Sequence, residues 1–531
     1  MRSFTGTGAL IRHVLRRDRI RLVVWIAAIG GYSIPLAASL EGLYPTPQSL
    51  QARAVIMDGP LGVMFSGPRI GLDNYTFGAM LSNEFVGTLA VVLALMSVFL
   101  IVRHTRAEEE SGRRELVRAA VVGRHAGIIA ALIVVIAAQA VIGILIGLSY
   151  PQLGLGLSTG GSWLFATALV SVGVVFAGIA AIASQVTSQT RGAIGIGVAA
   201  VILTYVVRAI GDLGDSALSM LSPIGWAQAT RPYVDDSWWP LALPAVFTVV
   251  LVMASLALTS RRDVGEGLVS PRSGRSEASR ALARPLGLAL RLQRGLLIGW
   301  GVGLFILGAS YGGFVSDVEE FAAENPFIEE GLSAIGGAGL GESWASFLAV
   351  LMMALVASFT VQATLRLRSE ETDLRAEHVL ATPVERWRWV GSHLAVAAVG
   401  SAVIGVLVGL GFGLSAGAAT GDWTWIPKMI AATLSHLPAL AVVGGFAFAV
   451  VAIVPRLAPA AWVGIALVWT SILGTILGLP DWVLELSPFG HDPLLPAADI
   501  ELLPLLVLGV IAGFLVVGGF YAFQRRDIGV T

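Results

Sequence analysis

The sequence has 531 residues, of which 56% are apolar and 13% are charged, and its formal net charge is −1. Soluble domains contain about 45–50% apolar and about 25% charged residues, so this composition excludes a water-soluble globular fold. The mean hydropathy of +0.80 also excludes disorder. The small net charge gives no indication of nucleic-acid binding. The absence of cysteine excludes disulfides and thiolate metal sites, and leaves the redox compartment undetermined.

Twelve mostly apolar stretches have about the 20 residues that a membrane-spanning helix needs. They predict an all-α polytopic membrane protein with about 12 transmembrane helices. Polar turns containing Arg191 and Arg456 separate the fourth span from the fifth and the tenth from the eleventh. In chain order the predicted spans are 21–40, 85–103, 126–149, 163–188, 192–211, 238–260, 295–315, 344–365, 389–414, 429–455, 457–479 and 502–524.

The arginines predict the orientation of these spans, because cytoplasmic loops carry an excess of basic residues. With both termini inside, 29 of the 34 basic residues lie in cytoplasmic segments, whereas the loop containing Glu319 and Glu320 is acidic. We therefore expect a multi-pass protein of the inner (plasma) membrane with both termini in the cytoplasm. A signal peptide at residues 1–40 is the alternative. The basic flank of this segment recurs before the seventh span, at Arg294, which favours a retained first helix.

The chain contains two copies of one unit. A shift of 262 positions places six charged residues of the first half on identical residues of the second. These pairs are Arg106 and Arg368, Glu108 and Glu370, Glu109 and Glu371, Arg113 and Arg375, Glu115 and Glu377, and Arg124 and Arg386. Near-identical shifts align Leu221-Ser222-Pro223 with Leu486-Ser487-Pro488, and Arg261-Arg262-Asp263 with Arg525-Arg526-Asp527.

Each half has six predicted spans, so both halves enter and leave the membrane on the same side. The sequence therefore predicts two parallel six-helix repeats related by a pseudo-twofold axis along the membrane normal. The predicted domains are a first half at 1–260, a cytoplasmic linker at 261–284 and a second half at 285–531.

The cytoplasmic segments 103–125 and 366–388 follow the second span of each half, and we call them the coupling loops. In the first loop an apolar stripe made of Leu116, Val117, Ala120 and Val121 predicts a short amphipathic helix. A solvated loop that only sets orientation is the alternative. Because orientation requires only arginines, the repeated glutamates favour docking of a two-fold symmetric partner. The predicted docking residues are Glu108, Glu109, Arg113, Glu115 and Arg124 in the first loop, and Glu370, Glu371, Arg375, Glu377 and Arg386 in the second.

A basic amphipathic segment precedes the first span of each half, at 8–20 and at 285–294. Apolar side chains alternate there with arginines at helical spacing. This pattern is typical of a helix that lies in the plane of the lipid headgroups.

These features resemble the type-2 ABC transporter permease family, in which an interfacial helix precedes the first span and a Glu-rich coupling helix follows the second. Thr382-Pro383-Val384-Glu385-Arg386 is similar to the usual end of that coupling helix, whereas Ala120–Arg124 lacks the Thr-Pro. The Leu-Ser-Pro segments resemble the family's external re-entrant segment. The fused form is most similar to actinobacterial antibiotic-export permeases of the tetronasin-resistance type. This resemblance implies two copies of a separate ATPase subunit, which binds ATP and Mg, and export of a bulky amphipathic compound.

Ionisable residues inside spans are costly and often functional. The candidate pathway residues are Glu84, Arg208, Asp212, Gln139 and Gln362. Arg208 and Asp212 are one helical turn apart and are interpreted as a local pair. Glu84 is expected to be solvated at the outer face, and the two glutamines are expected to join helices. His436 is expected to bond a carbonyl freed by the kink at Pro438.

Three functions remain open at this point. Lys428 is the only lysine and follows no glycine-rich loop, so the chain has no P-loop and is not expected to be an enzyme by itself. The first hypothesis is the membrane subunit of an ATP-driven exporter of hydrophobic or amphipathic compounds. The second is an ion-driven 6+6 drug transporter. Ser111-Gly112-Arg113-Arg114 resembles the loop between the second and third helices of that class. The third is a membrane scaffold that transports nothing.

Overall fold

The computed structural model of the protein describes residues 2–112, 122–214, 216–262, 265–269, 277–316, 318, 332–333, 339–473 and 480–527. The chain forms two compact units, Met1–Gly274 and Arg275–Thr531. The described residues form helices and turns and contain no β-strand. The amphipathic stripe predicted at 116–121 lies outside the described residues.

The first unit contains eleven of the helices that we number. They are α1 (Thr7–Leu43), α2 (Pro47–Asp58), α3 (Pro60–Phe65), α4 (Phe77–Met80), α5 (Val86–His104), α6 (Arg106–Glu110), α7 (Ala126–Ser149), α8 (Thr159–Val186), α9 (Thr190–Leu213), α10 (Pro223–Gln228) and α11 (Ala242–Ser260). A π-helical turn, Leu81–Phe85, joins α4 to α5.

The second unit contains the remaining numbered helices. They are α12 (Pro285–Gly312), α13 (Leu340–Thr372), α14 (Arg375–Leu380), α15 (Arg386–Thr420), α16 (Trp425–Ser435), α17 (Leu437–Ile453), α18 (Val463–Leu473), α19 (Asp481–Leu484) and α20 (Leu502–Arg525). Short 3-10 helices lie at Arg2–Phe4, Leu72–Asn74, Tyr150–Gln152, Ala217–Leu221, Trp239–Leu241, Arg280–Ala283, Gly313–Ser316, Pro455–Trp462 and Pro488–His491.

Within the described residues, 11 helices or helix runs are long and apolar enough to cross a membrane. They coincide with all of the predicted spans except the one at 457–479. That segment begins as the 3-10 helix Pro455–Trp462 and continues as α18, and its last six residues, 474–479, lie outside the described part of the chain. The protein is therefore an all-helical polytopic membrane protein.

The second of the two segments predicted to lie in the headgroup plane runs without a break into the first span of its unit, whereas the first segment is kinked before the span. In α1 the helix is interrupted at Asp18, where φ is −107° and ψ is 18°. α12 begins at Pro285 and runs through 285–294 into the span. Their position in the headgroup plane remains a prediction.

Glycines bring the third and fourth spans of each unit close together, as small residues do in membrane helix pairs. In the first unit, Gly147 of α7 lies under the ring of Trp163 of α8. In the second unit, a Cβ on Gly409 of α15 would lie 2.7 Å from Ile430 Cα of α16. The helix backbones therefore touch at this point.

Gly409→Leu is expected to push α15 and α16 apart and to destabilise the second unit by about 1–3 kcal/mol, the usual cost of overpacking. The measurement is the thermal unfolding midpoint of the detergent-solubilised chain. Gly513→Leu on α20 is the control, because nothing lies within 4 Å of a Cβ there. An unchanged midpoint for Gly409→Leu would contradict the close contact.

Candidate functional site at the charged helix ends

In the first unit a buried glutamate joins the end of the second span to the end of the last span. Glu109 of α6 accepts from both terminal nitrogens of Arg262, at 2.8 and 2.9 Å, and also pairs with Arg106. The side chains of Arg106 and Glu109 are no more than 1% exposed, and that of Arg262 is 5% exposed. Burial lowers the pKa of Arg262 from its ordinary value. The carboxylate therefore compensates two buried positive charges.

The second unit repeats this arrangement with the equivalent residues. Glu371, at the end of α13, pairs with Arg368 at 3.2 Å and with Arg526, which follows α20, at 2.5 Å. The Glu371 side chain is 3% exposed. We call the two groups the clamps: Arg106, Glu109 and Arg262 in the first unit, and Arg368, Glu371 and Arg526 in the second.

A second tether accompanies each clamp. The guanidinium of Arg124 donates to the Ser260 carbonyl at 3.1 Å, at the end of α11. The guanidinium of Arg386 donates to the carbonyls of Gln524 and Arg526, at 3.4 and 3.1 Å. Each coupling loop is therefore held at both its start and its end against the last span of its own unit.

Three of the predicted docking residues are buried. Glu109, Glu370 and Glu371 were expected on a docking surface, but their total exposures are 8%, 4% and 6%. The carboxylates of Glu109 and Glu371 are directed toward Arg262 and Arg526, which follow the last span of each unit. The sequence contained this signal, since Arg261-Arg262-Asp263 repeats as Arg525-Arg526-Asp527.

The glutamates that precede the clamps have different partners in the two units. Glu108 pairs with Arg17 of α1 at 2.5 Å. Next to this pair, Asp18 at the break in α1 contacts Arg103 at 2.9 Å and His104 at 3.0 Å. α1 is therefore tied to the second span of the first unit by two ion pairs and by the contact between Asp18 and His104.

In the second unit, Glu370 pairs instead with Arg366 at 2.6 Å and with Arg375 at 2.9 Å. Hydrogen bonds to Glu370 raise the pKa of Arg375. Gln293 of α12 contacts the ring of His393 at 3.3 Å. Both partners of Glu370 belong to the second span and its coupling loop. Glu108 pairs with an arginine of the first span, whereas Glu370 pairs with arginines of its own span and loop.

The exposed part of the second coupling loop is α14 and the turn that follows it. Leu374 precedes α14 with a φ of 59°, and this left-handed residue turns the chain away from α13. Ala376 is buried, whereas Glu377 and His378 are exposed. The corresponding residues of the first loop, Arg113 and Glu115, lie outside the described residues.

Two candidates from the membrane spans lie in buried ion pairs of the first unit. Glu84 was expected to be solvated, but its side chain is 10% exposed and forms a two-point contact with Arg53, at 2.7 and 3.1 Å. Burial and the neighbouring Glu84 raise the pKa of Tyr75, which donates to this carboxylate at 2.9 Å.

Arg208 and Asp212 form a pair at 3.3 Å, with side-chain exposures of 0% and 3%. Arg208 also donates to the carbonyls of Val63 and Met64, at 3.2 and 2.9 Å, at the end of α3. This arginine therefore attaches α9 to α3, one of the short helices that follow α1.

The remaining candidates join helices. Gln139 of α7 donates to Ser97 of α5 and lies against Gly173 of α8. Gln362 accepts from the indole nitrogen of Trp300 at 3.2 Å. The expectation for His436 was wrong. Its ring contacts the carboxylate of Asp492 at 2.7 Å, and the sequence gave no indication of this partner because it is 56 residues away.

This geometry is that of mechanical connections. Among the described residues, no group of three or more His, Asp or Glu side chains could hold a metal ion. The two clamps instead join the second and last spans of each unit, and in the second unit the exposed helix α14 follows the clamp. A force applied to that segment would reach both spans.

The fold and the clamps define a helical membrane protein with a duplicated unit. Residues 69–258 and 282–524 match the family model described as "Multidrug efflux system permease Rv1217c, C-terminal domain". The chain is also 37% identical, over 534 aligned positions, to the multidrug efflux system permease protein Rv1217c of Mycobacterium tuberculosis, and the alignment covers 99% of this chain and 96% of the relative. The chain belongs to this family of multidrug efflux permeases.

Proposed function

We propose that the chain is the membrane subunit of an ATP-driven ABC exporter that moves a hydrophobic or amphipathic compound out of the cell. A separate ATPase supplies the energy, with one copy docking on each coupling loop, and it binds ATP and Mg. The chain lies in the plasma membrane with both termini in the cytoplasm, as the arginine distribution predicts. The similarity to antibiotic exporters of the tetronasin-resistance type indicates a bulky passenger.

The observation that carries this proposal is the duplication of the clamp. The pair of Glu109 with Arg262 joins the second span to the last span within the first unit. The pair of Glu371 with Arg526 does the same within the second unit. A solvated loop needs no such connection to the last span. A motor subunit that moves a loop does need one, because the movement must reach the spans that line the path.

The test of this function is efflux from vesicles that contain the complete complex. Uptake of a fluorescent hydrophobic drug into inverted vesicles is expected to require ATP and to persist when ion gradients are collapsed. Transport driven by an ion gradient without ATP would contradict the proposal and favour the secondary transporter. No transport in either condition, with a folded chain and bound ATPase, would favour the scaffold.

The structure also indicates which residues to alter in a docking experiment. Glu377 and His378 are exposed on α14, so charge reversal there leaves the clamp intact. The double variant Glu377→Arg with His378→Glu is expected to reduce the ATPase content from two copies per chain to one, because reversed charges oppose docking. Copurified ATPase measured by quantitative gel densitometry provides the readout.

The control is Glu41→Arg, a single charge reversal at an exposed residue near the C-terminal end of α1. This variant is expected to retain both ATPase copies. Loss of ATPase from the control, or full retention by the α14 variant, would show that α14 is not the docking segment.

A further inference from the structure

Along the third span, from its C-terminal end toward its N-terminal end, the packing against the fourth span begins alike in both units and then differs. In the first unit, Gly147 and Gly143 of α7 contact α8, and one turn closer to the N-terminus Gln139 fills the space against α8. In the second unit, the same shift of 262 positions gives Gly409, Gly405 and then Ser401. The third position is thus a large side chain in one unit and a small one in the other.

The fourth span of the second unit is also broken at this level. α16 ends at Ser435 and α17 begins at Leu437, whereas α8 is continuous. Pro438 lacks the N–H that an uninterrupted helix would use. His436 at the break bonds to Asp492 and stacks on Phe489, with ring centroids 5.6 Å apart. These contacts hold the break in place.

A cavity of about 470 Å³ is lined by residues of α13, α15, α17 and α20. Its floor includes the buried residues Thr360, Ser401 and Gly444, and its mouth includes the exposed residues Ala398 and Ala441. The volume is about three times the roughly 150 Å³ that holds one benzene. The lining residues on α15 extend over seven steps of about 1.5 Å, or about 11 Å. A compact ring system therefore fits better than a single extended chain.

The lining has no ionisable residue, and its polar groups are already bonded. The hydroxyls of Ser401 and Thr360 are 2.7 Å apart, and each also lies within hydrogen-bond distance of a carbonyl of its own helix, at 2.8 and 3.0 Å. Thr364 donates to the Thr360 carbonyl at 2.8 Å. A charged group would find no counter-charge here, and an apolar group would leave no polar partner unsatisfied.

We propose that this cavity at the helix break of the second unit binds an uncharged apolar ring system, the hydrophobic part of the transported compound. The identity of the occupant as a passenger rests on the proposed function. In the described part of the first unit, Gln139 occupies the position that corresponds to Ser401 and lies against Gly173 of α8. Binding requires neither ATP nor the ATPase, so it is measured independently of transport.

The test uses the purified full chain in lipid nanodiscs and an uncharged naphthalene derivative that carries a diazirine. After photolysis, mass spectrometry is expected to locate the label in residues 394–401 and 437–445. An excess of the same compound without the diazirine is expected to remove this label. Ser401→Gln, which introduces the first unit's side chain, is expected to weaken labelling by about tenfold or more, because several methylene-sized contacts are lost.

Two further variants keep the result interpretable if Ser401→Gln folds poorly. Ala398→Leu fills the mouth of the cavity and is expected to have the same effect. Val399→Leu is the matched control, since Val399 is 63% exposed on the same helix and does not line the cavity. Three results would overturn the proposal. The label does not saturate, it is equal in all variants, or oleic acid displaces it and the naphthalene compound does not. The oleic acid result would indicate a lipid-chain site.

Discussion

Glu109→Gln is expected to destabilise the first unit by about 3–5 kcal/mol, the cost of leaving a buried charge without its partner. The substitution preserves the shape of the side chain but leaves the guanidiniums of Arg106 and Arg262 buried with one negative charge fewer. Because folded proteins are stable by only about 5–15 kcal/mol, most of the chain should be lost from the monodisperse fraction. Fluorescence-detected size exclusion in mild detergent measures that fraction.

Glu110→Gln is the matched control, since it makes the same chemical change one residue further along. Glu110 is exposed and accepts from the backbone N–H of Thr190 at 2.8 Å, which a glutamine oxygen also accepts. The control should therefore keep a normal elution profile. If both variants behave like the unaltered chain, the clamp does not stabilise the first unit.

Arg208→Gln is expected to cost a similar amount, about 3 kcal/mol or more. Arg208 has no exposed side-chain surface and contacts Asp212 together with the carbonyls of Val63 and Met64. Glutamine has no charge for Asp212 and has too few donors to serve all three partners. The thermal unfolding midpoint measures this loss, and Arg208→Lys should recover only part of it because lysine lacks the planar fork.

A second arginine–aspartate pair at the same spacing provides the comparison. Arg231 and Asp235 are also four residues apart, but their side chains are 55% and 50% exposed. Arg231→Gln is expected to cost no more than about 1 kcal/mol, as for exposed ion pairs. Equal midpoints for Arg208→Gln and Arg231→Gln would contradict the anchoring role of Arg208.

The spans could be predicted from the sequence because a bilayer imposes a minimum length of apolar residues. Ten helices or helix runs cover the first ten predicted spans, and α20 covers the last. The ends were less predictable. α13 extends as helix to Thr372, beyond the predicted span. This extension was not predicted, because polar residues that continue a helix beyond the apolar stretch leave no hydropathy signal.

The clamps were only half predictable. The repeated register of Glu109 and Glu371 was visible in the sequence, but a charge pattern does not distinguish a carboxylate that faces solvent from one that faces a buried arginine. Arg262 and Arg526 repeat with a near-identical shift and could have been recognised as their partners. The contact of His436 with Asp492 was not predictable, because it depends on how the break in the fourth span turns the ring.

The proposed action of a motor subunit on each coupling loop is tested most directly by the ratio of ATPase to chain in the purified complex. The complex would be isolated in mild detergent from cells that produce both proteins, and its mass would be measured by light scattering. Two ATPase subunits per chain are predicted, one for each clamp. A chain that purifies without any ATPase, and that still transports in vesicles with only an ion gradient, would contradict an ATP-driven exporter.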